Sequence, residues 1–169
     1  MGTLDPVETG LGERLAKAAG TLRNEGQPNS VWTRAMKDAL RGSGPELGEH
    51  VWTAGGAEGD FGEWLVDLVR YDGNGSGWGA RLTSIRLAME CEWLQSDEEA
   101  LYDFYKLLAL KADRKLMICE IKPGTATARL DLFREAIAAF QPTPSGERYM
   151  FALWDDAAGE FTFDIEVIA

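Results

Sequence analysis

The stretch Arg81-Leu-Thr-Ser-Ile-Arg-Leu-Ala-Met-Glu-Cys-Glu-Trp93 decides how the chain is read. Thr83, Ile85, Leu87, Met89, Cys91 and Trp93 fall on one face of it, and Leu82, Ser84, Arg86, Ala88, Glu90 and Glu92 on the other. Alternation with a period of two marks a β-strand. Upstream, Glu63-Trp-Leu-Val-Asp-Leu-Val-Arg-Tyr71 is a second strand-length run, rich in β-branched and aromatic residues. Between them lies Asp72-Gly-Asn-Gly-Ser-Gly-Trp-Gly79, whose glycines supply turn conformations, so the pair is read as an antiparallel hairpin.

The elements on either side complete the picture. Val7 to Leu22 and Val31 to Leu40 space their apolar residues as amphipathic helices, with Ser30 offered as the second helix's cap. Arg41 to Asp60 is Gly-rich loop, with one short extended piece near Val51. After the hairpin, Ser96 caps a helix with Asp97, Glu98 and Glu99 in its first turn, and Leu101, Phe104, Tyr105 and Leu108 form its apolar stripe. Lys115 to Ile121 is nearly all apolar, as a strand buried on both faces would be. A helix over Thr125 to Phe140, with Leu130, Phe133, Ile137 and Phe140 inward, and a terminal hairpin from Arg148 to Asp155 and Glu160 to Ile168 follow. The expectation is one α+β domain over 1–169, with a helical part at 1–45 and a core at 46–169: a mixed sheet flanked by helices and ending in a C-terminal β-hairpin.

Composition narrows the function classes. The chain has 169 residues, 45% of them hydrophobic and 27% charged, which is enough apolar surface for a core. No apolar run approaches the roughly 18 residues of a membrane span, and the N-terminus has no signal-like core, so a soluble cytoplasmic protein is expected. Cys91 and Cys119 sit in apolar runs and read as buried thiols; with the single His50 they make no zinc site. The net charge of −11 argues against a surface that binds nucleic acid throughout, but leaves room for a local groove. It also fits a cluster of metal-binding carboxylates, or a face that meets a protein partner.

In the hairpin register Asp67 stands opposite Glu90, and a slip of two residues keeps it on the same face. Asp67, Glu90 and Glu92 are therefore expected on one side of the sheet, within reach of each other. Opposed like charges destabilise a sheet, and Asp67 is flanked on its own face by Leu65 and Val69, where an ionised carboxylate is costly. A divalent cation would compensate, and ligands that are all oxygen favour Mg²⁺ or Mn²⁺.

The helix, three strands, helix, strand order, with Asp67 on one strand and Glu90-x-Glu92 on the next, resembles the PD-(D/E)xK nuclease-like superfamily, the restriction-endonuclease-like fold. The likeness covers roughly Val51 to Ile121, and Glu92 departs from it by standing where most members carry Lys. What it implies is hydrolysis of a nucleic-acid phosphodiester. Asp67 and Glu90 would hold Mg²⁺ or Mn²⁺ with help from the Cys91 carbonyl, and Glu63 would add a ligand. Glu92 would orient or deprotonate water, and Lys106, on the following helix, would stabilise the phosphate charge. The segments around Glu-Cys-Glu-Trp93, Asp103 to Leu108 and Lys115 to Glu120 are also similar to a group of uncharacterised bacterial proteins, which supplies no activity.

Other readings stand beside this one. Glu90 and Glu92 also suit a solvated strand face, Asp67 a salt bridge to Arg86 or Lys106, and Asp103 with Lys106 a simple i,i+3 ion pair. Glu120-x-Lys122 is a second literal E-x-K. The runner-up function is a catalytically inactive nuclease-fold domain that binds a protein through its acidic surface and the Trp78 loop. The first two helices could dimerise or wall a cleft.

Overall fold

A single mixed sheet of six strands, in sequence order, forms the middle layer of the molecule. The computed structural model describes residues 2–22, 26–53, 65–74, 81–141 and 143–169. The strands are β1 (His50–Thr53), β2 (Leu68–Asn74), β3 (Arg81–Glu92), β4 (Arg114–Ile121), β5 (Arg148–Asp155) and β6 (Glu160–Val167); the helices are α1 (Pro6–Leu22), α2 (Asn29–Arg41), α3 (Asp97–Ala109) and α4 (Ala126–Ala139). β1 with β2 and β2 with β3 pair antiparallel, β3 with β4 and β4 with β5 pair parallel, and β6 returns antiparallel to β5. The fold is α+β, with a mixed sheet between two helical layers.

The two faces bury separate cores. On one, Leu11 and Leu15 of α1 and Trp32, Met36 and Leu40 of α2 pack with Leu68, Leu87, Met89, Cys91, Leu116 and Met150. On the other, Phe104 and Leu108 of α3 and Phe133 and Ile137 of α4 pack with Val69, Ala88, Met117, Cys119 and Phe151. Phe133 and Phe151 stack with centroids 5.2 Å apart, and Phe104 tilts against both. The central β4 and β5 are buried on both sides, which is why Lys115 to Ile121 reads as a continuous apolar run.

The structure corrects several local expectations. β2 begins at Leu68, so Asp67 lies just ahead of the strand instead of inside it. α2 begins at Asn29 after Pro28, so Ser30 is in the first turn and is not the cap. Tyr105 and Phe140, expected inward, are exposed: Tyr105 lies on the outer face of α3, and Phe140 follows the end of α4 in an extended conformation. The strict alternation of β3 also breaks. Arg70 pairs with Leu87 but Tyr71 pairs with Ile85, which leaves Arg86 as an extra residue in a bulge. Residues before a bulge exchange faces, so Ile85 packs with the α3 side whereas Leu87, Met89 and Cys91 pack with the α1 side.

One side chain ties the α2 layer to the sheet. Arg70 donates to the backbone oxygens of Leu40, Arg41, Gly44, Leu47 and Gly48, at 2.6 to 3.4 Å. Gly48 has φ +100°, and a Cβ there would stand 2.7 Å from the Tyr71 backbone nitrogen, so only glycine lets this loop approach β2. Among the described residues no helix is long and apolar enough to cross a membrane.

Candidate functional site

Near Asp67 the hairpin register is the one the sequence pattern implied. Leu68 pairs with Met89 and Val69 with Ala88, which sets Asp67 level with Glu90 at the end of the ladder. There the strand pairing stops, and the Asp67 carboxylate takes over: its Oδ2 accepts the Cys91 backbone N–H at 3.0 Å. Its Oδ1 lies 2.8 Å from Nζ of Lys37, which reaches across from α2. Both partners are buried, at 8% and 7% exposure. Asp67 thus pairs with Lys37, not with Arg86 or Lys106. Arg86 pairs with Asp72 and Asp113.

Glu90, 3% exposed, points to the α3 side. Its Oε1 lies 3.1 Å from Lys106 Nζ, yet the angle is not that of a hydrogen bond, and the atom has no hydrogen-bond partner among the described residues. Lys106 is pulled from the other side by Asp103, at 2.5 Å. Burial first, and then the neighbouring Asp67 charge, push the Glu90 carboxyl up to about 8, against the pull of Lys106. The group is therefore mostly protonated at neutral pH. Burial works against the Lys106 charge, but Asp103 and Glu90 outweigh it and its pKa is raised.

Glu92 is two residues further on and half-buried. Its Oε1 accepts the Leu94 N–H at 2.6 Å. Burial raises its pKa, the Leu94 bond lowers it, and Asp103 raises it again. The charges form two groups, Lys37 with Asp67 on the α2 side and Lys106 between Glu90 and Asp103 on the α3 side, with Glu92 next to Asp103. Glu63 and Trp78, named from the sequence as a ligand and a contact residue, lie outside the described residues.

Lys37 is the member that the sequence reading missed. It falls between Met36 and Leu40 at the border of the α2 apolar stripe, where a lysine ordinarily extends its stem and keeps its charge in water. Nothing local announces that it turns inward to a carboxylate on another layer.

As a metal site the constellation is a pair, not a cage. Among the described residues no group of three or more His, Cys, Asp or Glu side chains is gathered so as to hold an ion. Mg²⁺, however, is commonly held by one or two carboxylates with waters filling the octahedron. Of the two buried acids, Asp67 has both oxygens engaged, by Lys37 and the Cys91 N–H, and Glu90 has one oxygen without a hydrogen-bond partner among the described residues. Comparison with protein-family models, curated proteins and solved structures finds no match.

Proposed function

We propose that the chain is a Mg²⁺- or Mn²⁺-dependent nuclease that hydrolyses phosphodiester bonds. The reading is carried by one observation: the strand ends bring two buried acids, Asp67 and Glu90, level with each other, and Glu90 has Lys106 beside it. Asp67 and Glu90, with the Cys91 carbonyl, would hold the cation. When bound, the ion would polarise the phosphate and ease ionisation of an attacking water.

The chain's own residues account for the rest. Glu90 would have to give up its proton before it could hold a cation, so uptake should strengthen as pH rises toward 8. Lys106, kept charged by Asp103, is placed to pair with a non-bridging phosphate oxygen as negative charge builds. Glu92, with a raised pKa and partial exposure, serves as the base that receives the water proton. Lys37 fixes the Asp67 carboxylate in place.

A second reading has an observation of its own: the two central carboxylates already have lysine partners, which is what an inactive nuclease-fold domain with an acidic protein-binding surface would retain. Calorimetric titration of Mg²⁺ and Mn²⁺ separates the two. For the nuclease, binding is saturable, is lost in Glu90→Gln and Asp67→Asn, and accompanies cleavage of single-stranded or duplex oligonucleotides. If wild-type protein binds neither ion, with or without an oligonucleotide present, the enzyme is excluded and a protein partner is sought.

A further inference from the structure

The parallel strands β3, β4 and β5 end together, and on the face covered by α1 and α2 their last residues set one acid between two indoles. Glu120 of β4 pairs with Trp154 of β5. Glu92 of β3 pairs with Cys119, so Trp93 falls level with Glu120 on its other side. α2 lays Trp32 against both indoles, with ring centroids 5.4 Å from Trp93 and 5.0 Å from Trp154. These four side chains, together with Asn29 and Asp156, line a cavity of about 270 Å³. Its position, outside the carboxyl ends of parallel strands, is where open sheets flanked by helices commonly bind ligands.

The cavity has two acids and no base. Glu120 Oε1 accepts from Gln95 Nε2 at 2.7 Å and Asp156 Oδ1 from Trp154 Nε1 at 3.4 Å, both uncharged donors. Neither acid forms an ion pair among the described residues, and none of the described residues lining the cavity is Lys, Arg or His. The buried acids elsewhere are treated differently: Glu8 meets Arg148, Asp67 meets Lys37 and Glu90 meets Lys106. A carboxylate held beside indoles, short of water, gains from a cation that arrives from outside.

Trp32 is an independent sign of a ligand. It is 9% exposed, and of the three indoles it alone makes no hydrogen bond among the described residues, since Trp93 donates to Thr33 Oγ1 at 2.8 Å and Trp154 to Asp156. Its Nε1–H is not one of the sealed, unsatisfied atoms of the fold, and Trp32 lines the cavity. The cavity therefore offers one free donor together with two carboxylates that lack a cation. Its walls decide which cation suits it. A primary ammonium group holds its water strongly, whereas a guanidinium is planar, weakly hydrated, stacks on aromatic rings and meets a carboxylate through paired N–H bonds.

We propose that this cavity binds a guanidinium group with an acceptor near it, the chemistry of arginine either free or as a residue of a peptide: Glu120 and Asp156 take the cation, and Trp32 donates to the carboxylate or carbonyl. Glu90 points to the opposite face of the sheet, so the site is separate from the Asp67 and Glu90 pair and does not depend on the nuclease reading.

With three indoles at the cavity, tryptophan fluorescence reports binding directly, and calorimetry at fixed ionic strength checks it. The probes are L-arginine, methylguanidinium, L-lysine and an end-blocked peptide with one central arginine, with sodium chloride as control. Saturable binding of L-arginine is expected, tighter than that of L-lysine. Glu120→Gln, which keeps an acceptor for Gln95, should weaken it about tenfold, the worth of one hydrogen bond to a charged group. Asp156→Asn, at an exposed position, should weaken it about two- to fivefold. Circular dichroism verifies that both variants are folded, and Glu90→Gln should bind arginine as wild type does. Arginine that binds no better than sodium, lysine that binds as tightly as arginine, or both cavity variants binding as wild type does overturns the site. Methylguanidinium, which lacks the acceptor, should bind more weakly than arginine; equal binding overturns the part given to Trp32. A peptide that binds at least as tightly as free arginine supports the site and assigns it to a protein partner. A peptide that is excluded while free arginine binds supports it as a site for a small guanidino compound.

Discussion

Glu90 is the residue at which burial and charge conflict most, and the conflict has a thermodynamic signature. Its carboxyl is raised from the ordinary 4.5 to about 8 by burial and by Asp67. Between those values the folded state holds a proton that the unfolded chain has released, so stability falls as pH rises through this window and levels off above it. The change should be on the order of a few kcal/mol. Glu90→Gln should flatten it and be more stable than wild type at pH 8, as followed by urea unfolding at several pH values; equal slopes for the two proteins would refute the assignment. Asp67 makes the opposite kind of contribution. Removing one partner of a buried ion pair strands the other, at a cost of about 3 kcal/mol or more. Asp67→Asn should thus destabilise the fold by about that much, and adding Lys37→Met should recover part of the loss. A loss below about 0.5 kcal/mol, the range of an ordinary surface change, would show that the pair carries little. These acids were legible because the hairpin register places Asp67 opposite Glu90 from sequence alone. Lys37 was not, since it reaches its partner from another layer, a contact that periodicity does not describe.

At the scale of elements, the join between α2 and β2 depends on Arg70. Its guanidinium satisfies five backbone oxygens, two of them at the C-terminal end of α2, where a cation is favoured. Burial lowers its pKa against the opposing pull of the Glu46 charge, and among the described residues no carboxylate is hydrogen-bonded to it. Lysine has three donors on one nitrogen and cannot span the same oxygens. Arg70→Lys should cost about 2 kcal/mol and Arg70→Met about 4, in the range expected when buried acceptors lose a charged donor. Hydrogen exchange should show the α2 C-terminus and the Pro45–Leu47 turn opening before the β3–β4 ladder. Uniform loss of protection would contradict this. Helices and the central strands could be read from period and caps, because β4 and β5 are buried on both faces and α3 has its capping signals in sequence. The bulge at Arg86 could not, since a one-residue insertion depends on the pairing partner and not on the strand itself. An available signal was passed over: Asp5 and Glu8 exchange backbone N–H bonds in a reciprocal cap at the start of α1, a pattern visible as Asp-Pro-Val-Glu.

At the scale of the whole molecule, an acidic protein that binds nucleic acid must do so through few contacts. With a net charge of −11, most of the surface repels a phosphate backbone. On the proposed nuclease reading, favourable contact falls to Lys106 at the carboxylate pair and to the exposed Lys122 just after β4, about two phosphates. Counterion release makes log K fall against log salt with a slope of roughly −0.7 per phosphate on a single strand and −0.9 on a duplex, so slopes of about −1.4 and −1.8 are expected here. Between 50 and 200 mM salt the affinity for an oligonucleotide, measured by fluorescence anisotropy before any Mg²⁺ is added, should fall about sevenfold to twelvefold. A basic groove with many contacts would lose a thousandfold or more over the same range. A steep slope would therefore mean that positive surface beyond these two side chains carries the interaction. No salt dependence at all would mean that the strand does not use them, and would favour the acidic protein-binding surface over the nuclease.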